Sequence, residues 1–129
     1  MVWLKPIRVL SVDETEAREL EGACWMNSAR CAFQLSLFPL AIALASTAIK
    51  NNGSNAAAFF IRGRARLAVP TLDDAFKDLK QSVIMQPNNA EYRRIYEECK
   101  QRIKIRNEDN RRTAAMMLNY MRSEGVTGS

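Results

Sequence analysis

Small residues recur at a fixed spacing of 34 residues in two consecutive stretches of this sequence. A period of this length is typical of repeat proteins in which each repeat is a pair of helices joined by a turn. Small side chains at matched positions indicate where two helices approach closely, so the spacing predicts an all-α fold of stacked helical hairpins. The matched pairs are Ala29 and Gly63, Ala41 and Ala75, Ala48 and Ser82, and Gly53 and Pro87.

A chance coincidence between two unrelated hairpins is the alternative explanation of this spacing. Gly63 argues against it, because a glycine inside a helix lowers helix propensity by about 1 kcal/mol relative to alanine. Close packing between helices explains that cost better than chance does.

The composition limits the chemistry open to the chain. Its 129 residues contain no histidine, which excludes histidine-based catalytic triads, histidine-ligated metals and most general bases that act at neutral pH. The cysteines Cys24, Cys31 and Cys99 have the spacing of neither a disulfide framework nor a zinc site. We therefore expect buried free thiols in a reducing compartment, and no enzyme activity, metal or cofactor.

The apolar run from Cys31 to Ile49 raises the alternative of a membrane span. Pro39 argues against a single long helix, because proline is tolerated in the first turn of a new helix and splits the run in two. The N-terminus also lacks the layout of a signal peptide. We expect no membrane partner and a cytoplasmic location, with the nucleus as the alternative.

The hairpin period divides the chain into segments. We expect a helix from Ala17 to Leu35 with Leu20, Cys24 and Cys31 on one face, and the acid-rich residues 11–20 either open this helix or form an insertion before it. Residues 107–110 could kink the last helix. The expected organisation is a partial first repeat (1–16), repeat two (22–54), repeat three (56–89), a capping helix (90–122) and a flexible tail (123–129).

Several short motifs resemble those of one family, the tetratricopeptide-repeat (TPR) domains of FKBP-type immunophilins and related co-chaperones. The run Arg62–Ala68 resembles the family's arginine-glycine-x-alanine-arginine-leucine-alanine sequence, and the segments 72–78, 85–89, 25–29 and 7–10 match further motifs of the family. The resemblance covers residues 3–106. It implies a right-handed solenoid of helical hairpins with a long C-terminal capping helix.

In that family the concave groove binds the acidic C-terminal tails of the heat-shock proteins 90 and 70 through lysines, asparagines and an arginine, the carboxylate clamp. The resemblance places Asn27, Ala57 and Ile61 at three clamp positions. Only Asn27 keeps the family's residue; Ala57 replaces a lysine and Ile61 an arginine. We therefore expect a degenerate clamp with weak or absent binding of the acidic tail, because hydrogen bonds to charged groups contribute about 1.5–3 kcal/mol each.

The same groove face offers other side chains to a partner. They combine an apolar floor with two arginines, which fits a partner segment that is hydrophobic with one or two acids. The alternative is that Phe60 and Ile61 pack on the missing first repeat or on a neighbouring chain. Arg62 points about 100° away from Ile61, and we expect a solvated or packing role for it. The expected groove residues are Met26, Asn27, Arg30, Phe33, Phe60, Ile61 and Arg64.

The leading prediction is a protein–protein interaction module of an immunophilin-like co-chaperone. The net charge of +5, concentrated between Arg93 and Arg112, favours an acidic partner. The alternatives are an RNA-binding helical repeat that uses the basic last helix, which the interleaved acids disfavour, and an adaptor in a germline small-RNA pathway. We also expect a homodimer through the incomplete first repeat, because Ile7, Val9 and Leu10 lack cover.

Overall fold

The computed structural model describes residues 13–125, and over that range it consists of five α-helices joined by short turns. The prediction of an all-α fold is confirmed. Each helix packs against the next one in the chain, and α1 and α5 also contact α3. Two helical hairpins therefore precede a long last helix. The helices are α1 (Glu14–Gln34), α2 (Phe38–Asn51), α3 (Ala56–Ala68), α4 (Leu72–Met85) and α5 (Ala90–Ser123).

Polar side chains cap the N-termini of α1, α3 and α5. The Asp13 carboxylate accepts a hydrogen bond from the Glu16 backbone N–H, so the acid-rich segment opens α1 rather than forming an insertion. The side chains of Asn55 and Asn89 accept in the same way at the starts of α3 and α5. Helix α2 has Pro39 in its first turn, where proline costs no intrahelical hydrogen bond.

The matched small residues inside the helices are all buried, as the 34-residue spacing predicts. At Gly63 the approach is very close: a Cβ atom there would lie 2.7 Å from Cγ of Leu79 on α4. A distance that short is a steric clash, so the glycine has the packing reason that its helical position requires. The other buried members are Ala29, Ala41, Ala48, Ala75 and Ser82.

Helix α1 uses a different face for packing from the one that the sequence led us to expect. Its buried residues are Gly22, Met26, Ala29 and Ala32, whereas Leu20 is 63% exposed and both Cys24 and Cys31 are exposed free thiols. The expectation of buried cysteines is therefore wrong for these two and correct for Cys99. The alanine face allows α2 and α3 to approach α1 more closely than the cysteine face would.

Helix α5 runs without interruption from Ala90 to Ser123, so the kink expected at residues 107–110 is absent. These polar residues lie at exposed positions of the helix, where their side chains point to solvent and need not break the backbone ladder. Only its first half packs on the hairpins, with Tyr92, Ile95 and Cys99 buried.

Parts of the expected organisation lie outside the described residues. Most of the partial first repeat (1–16) and of the tail (123–129) is among them, while residues 14–16 belong to α1. The expected homodimer depends on Ile7, Val9 and Leu10, so it stays a prediction. Within residues 13–125, no helix combines the length and the apolar character needed to cross a membrane.

Candidate functional site

An open groove of about 620 Å³ lies between α1, α3 and the first turn of α5. It is the natural candidate site, because clefts between helices bury a large share of a ligand's surface. Aromatic and arginine side chains dominate its lining. The lining residues are Arg30, Phe33, Gln34, Ser36, Phe38, Ala57, Phe60, Ile61, Arg64, Glu91 and Tyr92.

Five of the seven residues that the sequence assigned to the groove meet in this cavity, namely Arg30, Phe33, Phe60, Ile61 and Arg64. The other two do not line it. Met26 is buried in the packing between α1, α2 and α3, and it borders a second cavity of about 460 Å³ beside the turn between α2 and α3. Asn27 is exposed one turn before Arg30, on the same face of α1.

The walls of the groove include residues that the sequence reasoning did not assign to it. Glu91 and Tyr92 come from the start of α5, and Ser36 and Phe38 come from the turn that leads into α2. A signal for the first pair was present, because Glu91 follows Ala57 by one further period of 34 residues. Extending the repeat into α5 would have placed this turn beside the groove.

Stacked rings build the floor of the groove. The rings of Phe60 and Tyr92 lie 4.3 Å apart between centroids with an interplanar angle of 23°, which ties α3 to α5. Phe33 and Phe38 meet edge to face at 5.4 Å. Such aromatic pairs are stabilising beyond the area that they bury, so the rings of the groove also contribute to the packing of the fold.

The Arg64 guanidinium lies over the aromatic floor. Its Cζ atom is 4.6 Å from the centroid of the Phe33 ring and 5.7 Å from that of the Phe60 ring. Both distances are within the range of a cation–π interaction. The rings therefore hold the charge of Arg64 inside the groove, although no carboxylate among residues 13–125 pairs with it.

At the α5 end of the groove, burial and two charged neighbours determine the ionisation of the Tyr92 phenol. Burial raises the pKa of the Tyr92 phenol, the Arg30 guanidinium lowers this pKa, and the Glu91 carboxylate raises it. The phenol is thus neutral at physiological pH and available as a hydrogen-bonding group.

Of the three positions that the resemblance assigns to a carboxylate clamp, two offer nothing for an anion to bind. Ala57 and Ile61 have no side-chain donor, and Ile61 is only 9% exposed. Arg62 cannot replace the missing arginine, because its Nε and Nη2 atoms donate to the Asp78 carboxylate on α4, each at 2.8 Å, and Nη1 donates to Ser46. Within the described residues, no group of three potential metal ligands comes together.

Comparisons with known proteins agree with this architecture. No protein-family model matches the sequence. The chain is 29% identical over 123 residues to the peptidyl-prolyl cis-trans isomerase FKBP4 of Bos taurus, a match that spans 95% of this chain and 27% of that protein. This chain thus corresponds to about a quarter of the length of that relative.

Two solved structures share the fold. The first TPR domain of Spaghetti (RPAP3), solved with the HSP90 peptide SRMEEVD, superimposes with a TM-score of 0.63 at 29% identity, over 64% of this chain and 66% of that one. The C-terminal TPR-containing domain of an FK506-binding protein of Plasmodium falciparum gives a TM-score of 0.69 at 26% identity, over 79% and 70%. With the helical hairpins and the long last helix, these matches show that the chain has the tetratricopeptide-repeat fold and is similar to the TPR domains of FKBP-type proteins.

Proposed function

We propose that this domain binds a segment of a partner protein in the groove between α1, α3 and α5, and that it recognises the acidic C-terminal tail of HSP90 weakly or not at all. The observation that carries the proposal is the lining of the groove. Ala57 and Ile61 are apolar where the carboxylate clamp has cations, while Arg30 and Arg64 stand nearby without an ion pair to any described residue.

The chemistry of this lining defines the segment that would fit. The half-buried rings of Phe33 and Phe38 favour apolar side chains, and the two guanidinium groups favour one or two acids. We therefore propose a partner segment that is mainly hydrophobic with one or two acidic residues. A tail with several acids and a terminal carboxylate would leave anions without partners, which is penalised when they lose water.

The relatives support a binding role for the domain. The TPR domain of Spaghetti was solved with an HSP90 peptide. The match to FKBP4, which is named as an isomerase, spans 27% of the length of that protein. We assign the chain the role of a co-chaperone-like interaction module that performs no chemistry itself.

The basic residues of α5 do not favour RNA binding as a second function. Several of them already have acidic partners at the surface: Lys100 pairs with Glu97, Arg106 with Asp73 and Arg112 with Asp109. A helix whose charges alternate and pair in this way is typical of a solvated face rather than of a nucleic-acid footprint.

Calorimetric titration with two peptides tests the proposed function. Both have a blocked N-terminus. One is SRMEEVD with its free C-terminal carboxylate, and the other is SRMEEVL with a blocked C-terminus, which keeps the two acids but replaces the last residue and its terminal charge by an apolar group. We expect the blocked peptide to bind at least fivefold more tightly than SRMEEVD. If the domain binds neither peptide, the groove is not a peptide site of this kind.

A clamp-restoring variant sharpens the test. The change Ala57→Lys with Ile61→Arg returns the two cations, so we expect affinity for SRMEEVD to rise at least tenfold and affinity for blocked SRMEEVL to change little. The matched control is Ala57→Met with Ile61→Met, which adds length without charge and should give no gain. Equal affinity of the two double variants for SRMEEVD would contradict the degenerate clamp.

A further inference from the structure

The three arginines near the middle of α3 point in two directions. Arg62 and Arg66 are one turn apart and both donate to Asp78 on α4, at 2.8 Å and 2.7 Å. Arg64 lies between them in sequence and therefore on the opposite side of the helix, where it lines the groove. It makes no side-chain hydrogen bond or ion pair with a residue in the described range 13–125.

The surroundings of Arg64 prepare its guanidinium for a ligand. Phe33 and Phe60 lie within cation–π distance of it, at 4.6 Å and 5.7 Å from Cζ to the ring centroids. A guanidinium held over ring faces keeps its N–H groups at its edge, and two parallel N–H groups match the two oxygens of a carboxylate. These contacts restrict the long side chain before a ligand arrives, which reduces the entropy lost on binding.

The charge in the groove also favours an anion. Two guanidinium groups, Arg30 and Arg64, line it together with one carboxylate, Glu91. Glu91 is exposed and forms no ion pair within 4 Å among the described residues. The lining is therefore net positive, and its one acid does not neutralise Arg64.

We propose that Arg64 binds the side-chain carboxylate of an aspartate or glutamate in the partner segment. This inference rests on the proposed function and adds the position of the anion site. The site lies about one turn further along α3 than Ile61, the clamp position that has lost its cation. The proposed anion contact is therefore Arg64, between the aromatic rings, and not the clamp positions Ala57 and Ile61.

An internal acidic side chain fits this site better than a chain terminus. A C-terminal aspartate carries two carboxylates on one residue, and the neighbours of Arg64 on α3 at the clamp positions, Ala57 and Ile61, provide no donor for the second. The other cation of the groove, Arg30, belongs to α1. One guanidinium satisfies one carboxylate, and the half-buried ring of Phe33 is available to an apolar residue that flanks it. The occupant is therefore an apolar segment with an acid inside it.

NMR titration with end-blocked SRMEEVL and with its neutral counterpart, end-blocked SRMQQVL, tests the proposal. The Nε–H resonance of Arg64 gives a direct readout, and backbone amide shifts give the affinity. We expect SRMEEVL to shift the Arg64 resonance, and Arg64→Gln to lower its affinity at least tenfold. Arg64→Lys keeps the charge but loses the planar fork, so we expect a loss of about threefold.

Controls separate this site from a general effect of charge. Arg111→Gln removes one positive charge from an exposed position of α5 outside the groove, and we expect it to change affinity by less than twofold. SRMQQVL should bind at least tenfold more weakly than SRMEEVL and should not distinguish Arg64→Gln from the unchanged domain.

Each contrary outcome has a separate meaning. If Arg64→Gln binds SRMEEVL as tightly as the unchanged domain does, the anion site is not at Arg64, although the groove still binds peptides. If SRMQQVL binds as tightly as SRMEEVL, no carboxylate is recognised and the proposal is also overturned. If the unchanged domain binds neither peptide, the proposed function fails together with this inference.

Discussion

At positions one period apart, the hairpin of α1 and α2 and the hairpin of α3 and α4 carry different side chains. The first hairpin has Ala29 and Ala45, both fully buried. The second has Gly63 and Leu79, and the leucine fills the space that a methyl group on residue 63 would need, since Cγ of Leu79 lies 2.7 Å from that position. Two alanines and a glycine–leucine pair are therefore two ways of filling the same gap between helices.

The hairpins differ more strongly in charge. In the second hairpin the Asp78 carboxylate, 3% exposed, accepts hydrogen bonds from Arg62 and Arg66. The residues one period earlier carry no charge, and Leu44 and Ala32 pack together there with α3. The same helical arrangement is thus built once with an ion network and once with small and apolar groups. The uncharged counterparts of Arg62, Arg66 and Asp78 are Ser28, Ala32 and Leu44.

The largest expected effect comes from breaking the ion network on one side. Asp78→Ala leaves the Arg62 and Arg66 guanidinium groups partly buried without their carboxylate, and removing one partner of a buried pair costs about 3 kcal/mol. We expect the free energy of unfolding in urea to fall by that amount. A loss below about 1 kcal/mol would mean that the arginines simply turn to solvent.

A triple variant sharpens the same comparison. Asp78→Leu with Arg62→Ser and Arg66→Ala copies the first hairpin into the second and leaves no charge unpaired. Replacing a buried ion network by packed apolar groups is often neutral, so we expect stability within about 1 kcal/mol of the unchanged domain. A triple variant as unstable as Asp78→Ala would show that the two solutions are not interchangeable.

The next effect in size concerns the glycine–leucine pair. Gly63→Ala places a methyl group against Leu79 and should lower the free energy of unfolding by about 2 kcal/mol, because overpacking outweighs the gain in helix propensity. In a Leu79→Ala background most of this cost should disappear, since the pair then equals Ala29 and Ala45, and the Cβ atom of Asp78, at 3.2 Å, remains the close neighbour of the methyl group. Gly53→Ala is the matched control, because the added Cβ atom would lie 3.9 Å from the Ile49 carbonyl oxygen, an ordinary van der Waals contact.

A smaller effect is expected in the turn of the first hairpin. Ser36 has φ of 61°, the left-handed region, and is the one non-glycine residue with positive φ between Asp13 and Gly125. The turn of the second hairpin, with Pro70, has no such residue. Ser36→Gly should raise the unfolding free energy by about 0.5 kcal/mol, because relief of strain exceeds the added entropy of the unfolded chain. A decrease in urea unfolding would contradict this reason.

The smallest effect is expected for an ion pair at the surface. Asp73 is 74% exposed in its pair with Arg106, and exposed pairs contribute about 0.5 kcal/mol or less. Asp73→Ala should therefore change the unfolding free energy by no more than that amount. If Asp73→Ala lowered the unfolding free energy as much as Asp78→Ala does, burial would not explain why the two aspartates are expected to differ in their contribution to stability.

Much of the fold could be predicted from the sequence, because the small residues that determine it recur at a fixed period. The face that α1 buries could not, since Leu20 and the cysteines form one stripe and Met26, Ala29 and Ala32 another. The choice depends on how closely α2 and α3 can approach, which is a tertiary property. Likewise, Asn and Asp at residues 107–110 have low helix propensity, yet exposed positions within a long helix tolerate them.

The site could be predicted only in part for a similar reason. Helical spacing placed Arg30, Phe33 and Arg64 on the inner faces, and the structure brings them to one cavity. The contribution of Tyr92 depends on how α5 docks against Phe60, which no pattern within a single helix contains. The position of Asp78 on α4 also decides which arginine of α3 has no ion pair to a described residue. That position is a tertiary property as well.

The burial of Cys99 makes the separation of α5 from α4 measurable by thiol labelling. Its thiol is fully buried, faces the Leu72 carbonyl of α4 and has a pKa that burial raises, whereas Cys24 and Cys31 are exposed. A thiol-modifying reagent should label the two exposed cysteines at once and reach Cys99 only when α5 separates from α4. The rate of the slow labelling step therefore measures how often the last helix leaves the hairpins, with no probe added to the chain.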